Sequence, residues 1–354
     1  MCMTNKELIL KLKDTGTLAH YEFRQLVSSY TEDDMKFAQE LAQNISKEHF
    51  GNNIYIRGLI EFTNICSNDC YYCGLRCSNS KADRYRLNDN DIFSCCESGY
   101  ELGFRTFVLQ GGEDPFFTDE KIYTIVKTIK EKYPDCAVTL SIGERSRKSY
   151  EMFYSAGADR YLLRHETANE EHYSKLHPEN MSLSNRKECL YTLKEIGFQT
   201  GCGFMVGSPH QTFDTIADDM LFIRDLTPHM VGIGPFIPHK DTPFGKEAQG
   251  NLELTLFLLS LIRIMLKNVL LPSTTALGTI HPQGREIGIL SGANVVMPNL
   301  SPVNVRSKYM LYDNKICTGD EAAECRMCLQ RRMESIGYTI SVDKGDWKAE
   351  IQSK

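Results

Sequence analysis

Cys66, Cys70 and Cys73 lie in one short loop, CSNDCYYC, directly after the apolar run Tyr55 to Thr63, with three and then two residues between successive thiols. Three thiolates can hold three irons of a four-iron cluster and leave the fourth iron free to bind a small molecule and pass it an electron. A closed structural site would need a fourth ligand. Cys77, in CYYCGLRC, places another sulfur nearby, so a four-sulfur zinc site is the alternative reading, although no second CxxC knuckle stands close to it.

Other residues could serve a ligand bound beside that loop. Gln110, Gly111, Gly112, Glu113 and Asp114 follow the next strand-like run, where glycines admit a ligand close to the backbone and a carboxylate can neutralise an amine. A plain strand-to-helix turn is the alternative there. Arg164 and Glu166 flank His165 after a later run and could grip opposite ends of a zwitterion or a sugar diol, while His165 itself reads as a packed or hydrogen-bonded histidine. Arg186, opening the helical stretch LSNRKECL, could anchor a carboxylate through its planar fork, or simply sit solvated. A second cysteine group, Cys317, Cys325 and Cys328 in KICTGDEAAECRMC, suits a second iron–sulfur cluster better than loosely placed thiols.

The elements that must position these residues alternate. Strand-like runs fall at 55–62, 106–110, 137–141, 160–164, 200–206, 230–233, 270–276 and 293–297. Amphipathic helical patterns fall between them at 89–102, 119–132, 145–156, 185–196, 212–225 and 252–266. Repeated βα units imply a parallel sheet, and eight of them favour a closed (βα)8 barrel over a doubly wound sheet. Residues 1–50 read as an N-terminal segment of two helices, 51–300 as the barrel and 301–354 as a C-terminal extension holding the second cysteine group. In such a barrel the chemistry sits on loops at the C-terminal ends of the strands, which is where the first cysteine loop falls.

Composition narrows the classes. With 40 Lys+Arg against 46 Asp+Glu and a formal net charge of −6, the chain is a poor partner for nucleic acid. The opening MCMTNKELILKLKDTG mixes charges into its apolar residues and lacks a signal-peptide core, and the greasy stretch Leu256 to Leu266 is short and broken by Arg263, so a cytoplasmic protein without membrane anchorage is expected. The 13 cysteines, scattered and odd in number, point to thiolate chemistry in a reducing compartment, with Cys95, Cys96, Cys136, Cys189 and Cys202 as ordinary buried residues.

The loop CSNDCYYC, then GGED, then RHETAN resembles the radical S-adenosylmethionine (SAM) superfamily. More narrowly, the strings IEFTNIC, YYCGLR, VLQGGEDP, RYLLRHETAN, MVGIGPFIPH, TTALGTI and GANVVMPN resemble its HydE branch, the radical SAM maturases of [FeFe]-hydrogenase, over residues 50 to about 330. Biotin synthase and methylornithine synthase are near relatives. The resemblance implies a [4Fe-4S] cluster on Cys66, Cys70 and Cys73, with SAM chelating the open iron and being cleaved reductively to methionine and a 5′-deoxyadenosyl radical. It implies that Gly111, Gly112 and Glu113 meet the SAM amine, Arg186 its carboxylate, Glu166 its ribose and Tyr72 its adenine. Gln110, Thr139, Arg164, Thr274, Thr275, Met297 and Tyr309 match positions lining the family's substrate cavity, with ordinary barrel filling as the alternative for each.

The implied substrate is an organoiron or amino-acid-derived small molecule, in this branch a cysteine-bound iron complex carrying carbon monoxide and cyanide. The implied partners are companion maturases, HydG among them, and an electron donor, and the implied task is assembly of the diiron subcluster of the H-cluster. Cys317, Cys325 and Cys328 match an auxiliary cluster found in some maturases of this type. Two other readings stand beside this one: another radical SAM enzyme, biotin synthase-like or methylornithine synthase-like, and a non-catalytic iron–sulfur carrier. The carrier would have no need of Glu113, Glu166 and Arg186.

Overall fold

The structure, a computed structural model, describes residues 3–316 and 326–349. Six parallel strands form one sheet in the order Gly58–Thr63, Thr106–Gly111, Ala137–Ser141, Arg160–Leu162, Gln199–Cys202 and Met230–Val231. Isolated parallel bridges carry the order onward from Met230 to Leu270, from Pro272 to Val295, and from Asn299 back to Leu59. The ring therefore has eight positions, with a regular ladder over six of them and single bridges at the remaining joins, as a TIM-type α/β barrel requires.

The helices outside the ring form where the apolar spacing places them. In Asp119–Lys132, Ile122, Ile125, Val126 and Ile129 recur on one face and are buried against the sheet, and Thr118 caps the first turn by accepting from the Lys121 N–H. Leu252–Met265 is apolar all round because it is covered on both sides, by the barrel within and by the helices Asn5–Thr15 and Glu32–Phe50 without. Its one cation, Arg263, is buried and spends its donors on the Gly292 carbonyl (2.9 Å), the Lys267 carbonyl (2.8 Å) and Asn294 Oδ1 (3.2 Å). No described helix is long and apolar enough to cross a membrane.

Three expectations change. The N-terminal segment holds three helices, Asn5–Thr15, His20–Ser29 and Glu32–Phe50, because Thr17 to Ala19 break the first half and Thr31 caps a new start with a bond from the Asp34 N–H. The first strand-like run splits at Arg57. Asn53–Ile56 pairs with Val295–Val296 and Thr339–Ser341 in a separate three-stranded sheet, and only Gly58–Thr63 enters the barrel ladder. The run 270–276 does not form a regular strand: Pro272 offers no ladder donor, and the helix Thr275–Ile280 begins with Thr274 as its cap residue.

The C-terminal tail crosses the far end of the barrel from the cysteine loop. Arg160, fully buried, donates to the Lys344 carbonyl (2.8 Å) and Asp346 Oδ1 (2.5 Å), and the Trp347 N–H donates to Gln199 Oε1 (2.9 Å). Arg160 heads the strand whose other end leads to Arg164 and Glu166, so the tail seals the end opposite the chemistry.

Candidate active site

The cysteine loop leaves the strand Gly58–Thr63 at its C-terminal end and is held in place by three clamps. The Asp69 carboxylate accepts from Arg76 Nε (2.7 Å) and Nη2, from the Ser78 N–H (3.1 Å) and from the Ser78 hydroxyl (2.7 Å), and these donors hold it well below the usual carboxylate range. The Arg84 guanidinium donates to four backbone carbonyls of the same loop. The third clamp is the glycine turn after the next strand: the Ser67 N–H and hydroxyl both donate to the Glu113 carbonyl, each at 3.0 Å.

That turn explains its glycines differently from the ligand-access argument. A Cβ at Gly112 would lie 2.3 Å from the Ile65 carbonyl oxygen, and one at Gly111 would lie 2.7 Å from Thr63 Cγ2. The side-chain space at both is filled by the cysteine loop and its strand, so any ligand contact must come from their backbone atoms. Asp114 is also used by the fold, accepting two bonds from Arg86 (2.7 and 2.8 Å) and one from the Thr63 hydroxyl (2.8 Å).

Cys66, Cys70 and Cys73 are all part-buried, whereas Cys77 is exposed. Burial pushes the Cys66 thiol up, lifts Cys70 well above its ordinary value with the neighbouring Cys73 adding to the effect, and moves Cys73 up to about 12. Three crowded, desolvated thiols of this kind give up their protons when a cationic centre meets them. Among the described residues no three His, Cys, Asp or Glu side chains converge as one metal ion requires. Thiolates on a four-iron cluster bind separate irons and need no such convergence.

Around the thiols stand two ion pairs. Arg186, buried, meets Glu144 at 2.5 Å and donates from Nη1 to the Arg164 carbonyl (3.2 Å); burial is the largest influence and opposes its charge, but Glu144, with Tyr173, Tyr72 and Glu113 adding to it, more than offsets burial and raises the guanidinium. Arg164 meets Glu166 at 3.1 Å. Glu144 Oε1 and Arg186 Nε, and Glu166 Oε2 and Arg164 Nη2, are buried and meet each other across these pairs without a well-formed hydrogen bond, and Arg164 Nε is buried with neither kind of contact. Polar atoms left so are costly unless a ligand completes them, and carboxylates with guanidiniums suit an amino acid and a ribose. Glu166 has a φ of 65°, strained for a residue with a side chain, and its N–H is tied to the Gly203 carbonyl at 3.0 Å. The donor set therefore fits a four-iron cluster with SAM beside it.

Glu113 lies within the same electrostatic neighbourhood as Cys66 and Arg186. Burial raises its carboxyl, opposed by the Glu144 N–H donating to Oε1 at 3.0 Å. Gly143 makes room for it: its φ is +77°, and a Cβ there would fall 2.1 Å from the Glu113 side chain. Tyr72 is aimed by a neighbour, its hydroxyl lying 3.1 Å from His177 Nε2, while His177 Nδ1 reaches the Tyr173 carbonyl at 3.0 Å. The second contact makes Nδ1 the protonated nitrogen and leaves Nε2 to accept from Tyr72.

The remaining expected residues fall in different places. Gln110, next to last in its strand, lies beside the buried Tyr309, whose ring carries Lys315 Nζ 4.8 Å from its centroid. Thr139 and Thr274 are inside the barrel with hydroxyls lacking a hydrogen-bond partner, as a polar cavity wall would have, and Thr275 is the first residue of its helix. Met297, partly buried, packs against Met230, Leu270 and Val295. His165 is fully buried between Phe204 and Phe222 and accepts from the Gly203 N–H at 3.2 Å, so it is a core histidine, held neutral by burial with its pKa lowered to about 3. Cys317 and Cys325 lie outside the described residues, and Cys328 is exposed on the helix Arg326–Glu334.

Sequence reasoning missed Glu144, Tyr173, His177 and Arg84. Glu144 had a usable signal, since it follows the strand Ala137–Ser141 at the end where the chemistry sits. The others show none, because their roles depend on partners brought together by the fold.

Residues 60–223 match the Radical SAM superfamily. The chain is 44% identical over 351 residues, covering 98% of both sequences, to the [FeFe] hydrogenase maturase subunit HydE of Thermotoga maritima. Among solved structures it resembles methylornithine synthase, with a TM-score of 0.82 at 23% identity over 94% of this chain and 97% of that one. It also resembles HydG, a maturase of the [FeFe]-hydrogenase, with a TM-score of 0.81 at 21% identity over 96% of this chain and 77% of that one; these two likenesses concern the fold. With three cysteines at the spacing the superfamily uses and near end-to-end similarity to one of its maturases, the chain belongs to the radical SAM superfamily, in its HydE branch.

Proposed function

We propose that this radical SAM enzyme acts in assembling the diiron subcluster of [FeFe]-hydrogenase. The observation that carries the reading is the near full-length 44% identity to a hydrogenase maturase subunit, together with the two buried ion pairs beside the thiols. Cys66, Cys70 and Cys73 would hold a [4Fe-4S] cluster, and bound SAM would receive its electron there and be split to methionine and a 5′-deoxyadenosyl radical. Arg186 holds a carboxylate and is itself held by Glu144. Glu113 accepts from an ammonium group, Glu166 from ribose hydroxyls, and Tyr72, fixed by His177, lies along the adenine. The sealed far end of the barrel keeps water from the reacting atoms. Arg164, Gln110, Tyr309 and the hydroxyls of Thr139, Thr274 and Thr275 suit a small anionic substrate, either organoiron or derived from an amino acid. A second cluster on Cys317, Cys325 and Cys328, and companion maturases and an electron donor as partners, belong to the same proposal.

The deciding experiment is cell-free maturation of apo-hydrogenase with the companion maturases, with and without this protein. Hydrogen evolution that depends on the added protein supports the role. Hydrogenase activation indifferent to it, despite SAM cleavage by the same preparation, would direct the assignment to another substrate. Arg186→Ala should weaken SAM binding about 10- to 100-fold, the worth of a lost charged hydrogen bond. Equilibrium binding of SAM checks this, and cluster iron should stay at the wild-type level; loss of iron would remove Arg186 from the SAM-holding role.

A further inference from the structure

The cationic side chains around the cysteine loop are not alike in how their charge is met. Arg76 is paired with Asp69, Arg86 with Asp114 (2.7 Å), Arg164 with Glu166 (3.1 Å) and Arg186 with Glu144 (2.5 Å). Each of these pairs is locally neutral. Arg84 differs: among the described residues no carboxylate stands within ion-pair distance of it. Its guanidinium is spent on carbonyl oxygens, with Nη1 donating to Asn64 (2.6 Å) and Leu75 (2.9 Å) and Nη2 to Arg76 (2.7 Å) and Asn79 (3.1 Å).

Those four acceptors lie on both sides of the thiols. Asn64 precedes Cys66 by two residues, and Leu75, Arg76 and Asn79 follow Cys73. One rigid fork therefore joins the entry and the exit of the cysteine loop. Asn64 strengthens the join, since its side chain donates to the Asp83 carbonyl (2.8 Å) and accepts from the Tyr85 N–H (2.8 Å), fixing the backbone on either side of Arg84. The guanidinium also lies within electrostatic reach of the Cys73 sulfur. A part-buried cation without a countercharge, placed beside a cluster, favours the form with one more electron, because charge and hydrogen bonding around the sulfurs set the potential.

Building on the cluster assignment above, we propose that Arg84 is a positioning residue for the [4Fe-4S] cluster with two separable effects: its fork closes the cysteine loop around the iron, and its uncompensated charge makes the cluster easier to reduce. The redox step is the transfer of one electron from the reductant to the cluster, with no proton or bond change at Arg84. Lysine keeps the charge but offers a single ammonium in place of the planar fork, and glutamine removes the charge, so two variants divide the effects.

The experiment uses the full chain, reconstituted anaerobically, as wild type, Arg84→Lys and Arg84→Gln. Iron release to a chelator is followed with time, and the cluster potential is read by a redox titration monitored by electron paramagnetic resonance. Both variants should release iron several-fold faster than wild type. Arg84→Gln should show a roughly tenfold lower ratio of reduced to oxidised cluster at a fixed potential, a shift of about 59 mV for one electron, while Arg84→Lys titrates with wild type. Unchanged iron release in both variants overturns the loop-closing effect. A wild-type potential in Arg84→Gln, or a shifted one in Arg84→Lys, overturns the charge effect. Should Arg84→Gln hold no cluster, loop closure is upheld and the potential of Arg84→Lys decides the charge effect. SAM cleavage is assayed separately on the wild type: a loaded cluster that does not cleave SAM would undo the proposed function and leave Arg84's role standing, whereas a wild-type chain that binds no cluster overturns both.

Discussion

Replacing Cys70 with alanine should bring 5′-deoxyadenosine formation from SAM down to the level of a protein-free control, with Cys66→Ala and Cys73→Ala doing the same. The loop has three thiols for three irons, and the nearby Cys77 is exposed, outside the part-buried set. Two remaining thiolates cannot hold the cluster while leaving one iron open for SAM. The contrast is Cys325→Ala, which should keep most of the activity, since a cluster on that segment, as proposed, would not be the one that cleaves SAM. Chromatographic detection of 5′-deoxyadenosine after anaerobic reconstitution and addition of dithionite measures both. Equal loss in Cys70→Ala and Cys325→Ala would defeat the assignment of separate roles to the two cysteine groups.

The second large effect concerns stability. Lys315→Met should destabilise the folded chain by about 3–5 kcal/mol, the usual cost of stranding one partner of a buried ion pair. Glu61 is fully buried on the first barrel strand, with one oxygen taking the Lys315 ammonium at 2.5 Å and the other the Asn299 side-chain amide at 2.9 Å. Lys315 also donates to the Tyr309 carbonyl at 3.0 Å and so holds that ring where Gln110 faces it. The double variant Glu61→Gln/Lys315→Met should recover much of the loss, because the stranded charge is then gone. Denaturant midpoints of the wild type, both single variants and the double variant give the coupling. A Lys315→Met midpoint equal to wild type would mean that water reaches Glu61 and that the pair contributes little.

Much of the fold was legible because its signals are local. An apolar run such as Thr106 to Gln110 and a stripe such as Ile122, Ile125, Val126 and Ile129 declare strand and helix within a few residues, and eight such alternations leave few architectures available. The spacing of Cys66, Cys70 and Cys73 is local too. Its meaning, a cluster with an open iron, follows from counting ligands, and its place at the C-terminal end of a strand follows from the order of elements. His165 could be read as a core residue for the same reason, from its position just past a buried strand.

Other features depend on partners far apart in the chain. Glu61 and Lys315 are separated by 254 positions and Arg160 and Asp346 by 186, and no local period predicts that these charges will be buried together. The break at Arg57 arises because Asn53–Ile56 finds Thr339–Ser341 and Val295–Val296 while Gly58–Thr63 finds Thr106–Gly111, a competition settled by how the ring closes. The space beside Gly112, which its sequence context leaves open to a ligand, is filled by the cysteine loop. Glu144 and His177 became site residues only when Arg186 and Tyr72 were brought beside them. The thiol count and spacing were legible in the sequence, and with the family resemblance they gave the cofactor chemistry, because both rest on residue types and short strings. The fold settled which charges neutralise one another and which, like Arg84, meet no carboxylate among the described residues, because that depends on distances through space that close only when the barrel does.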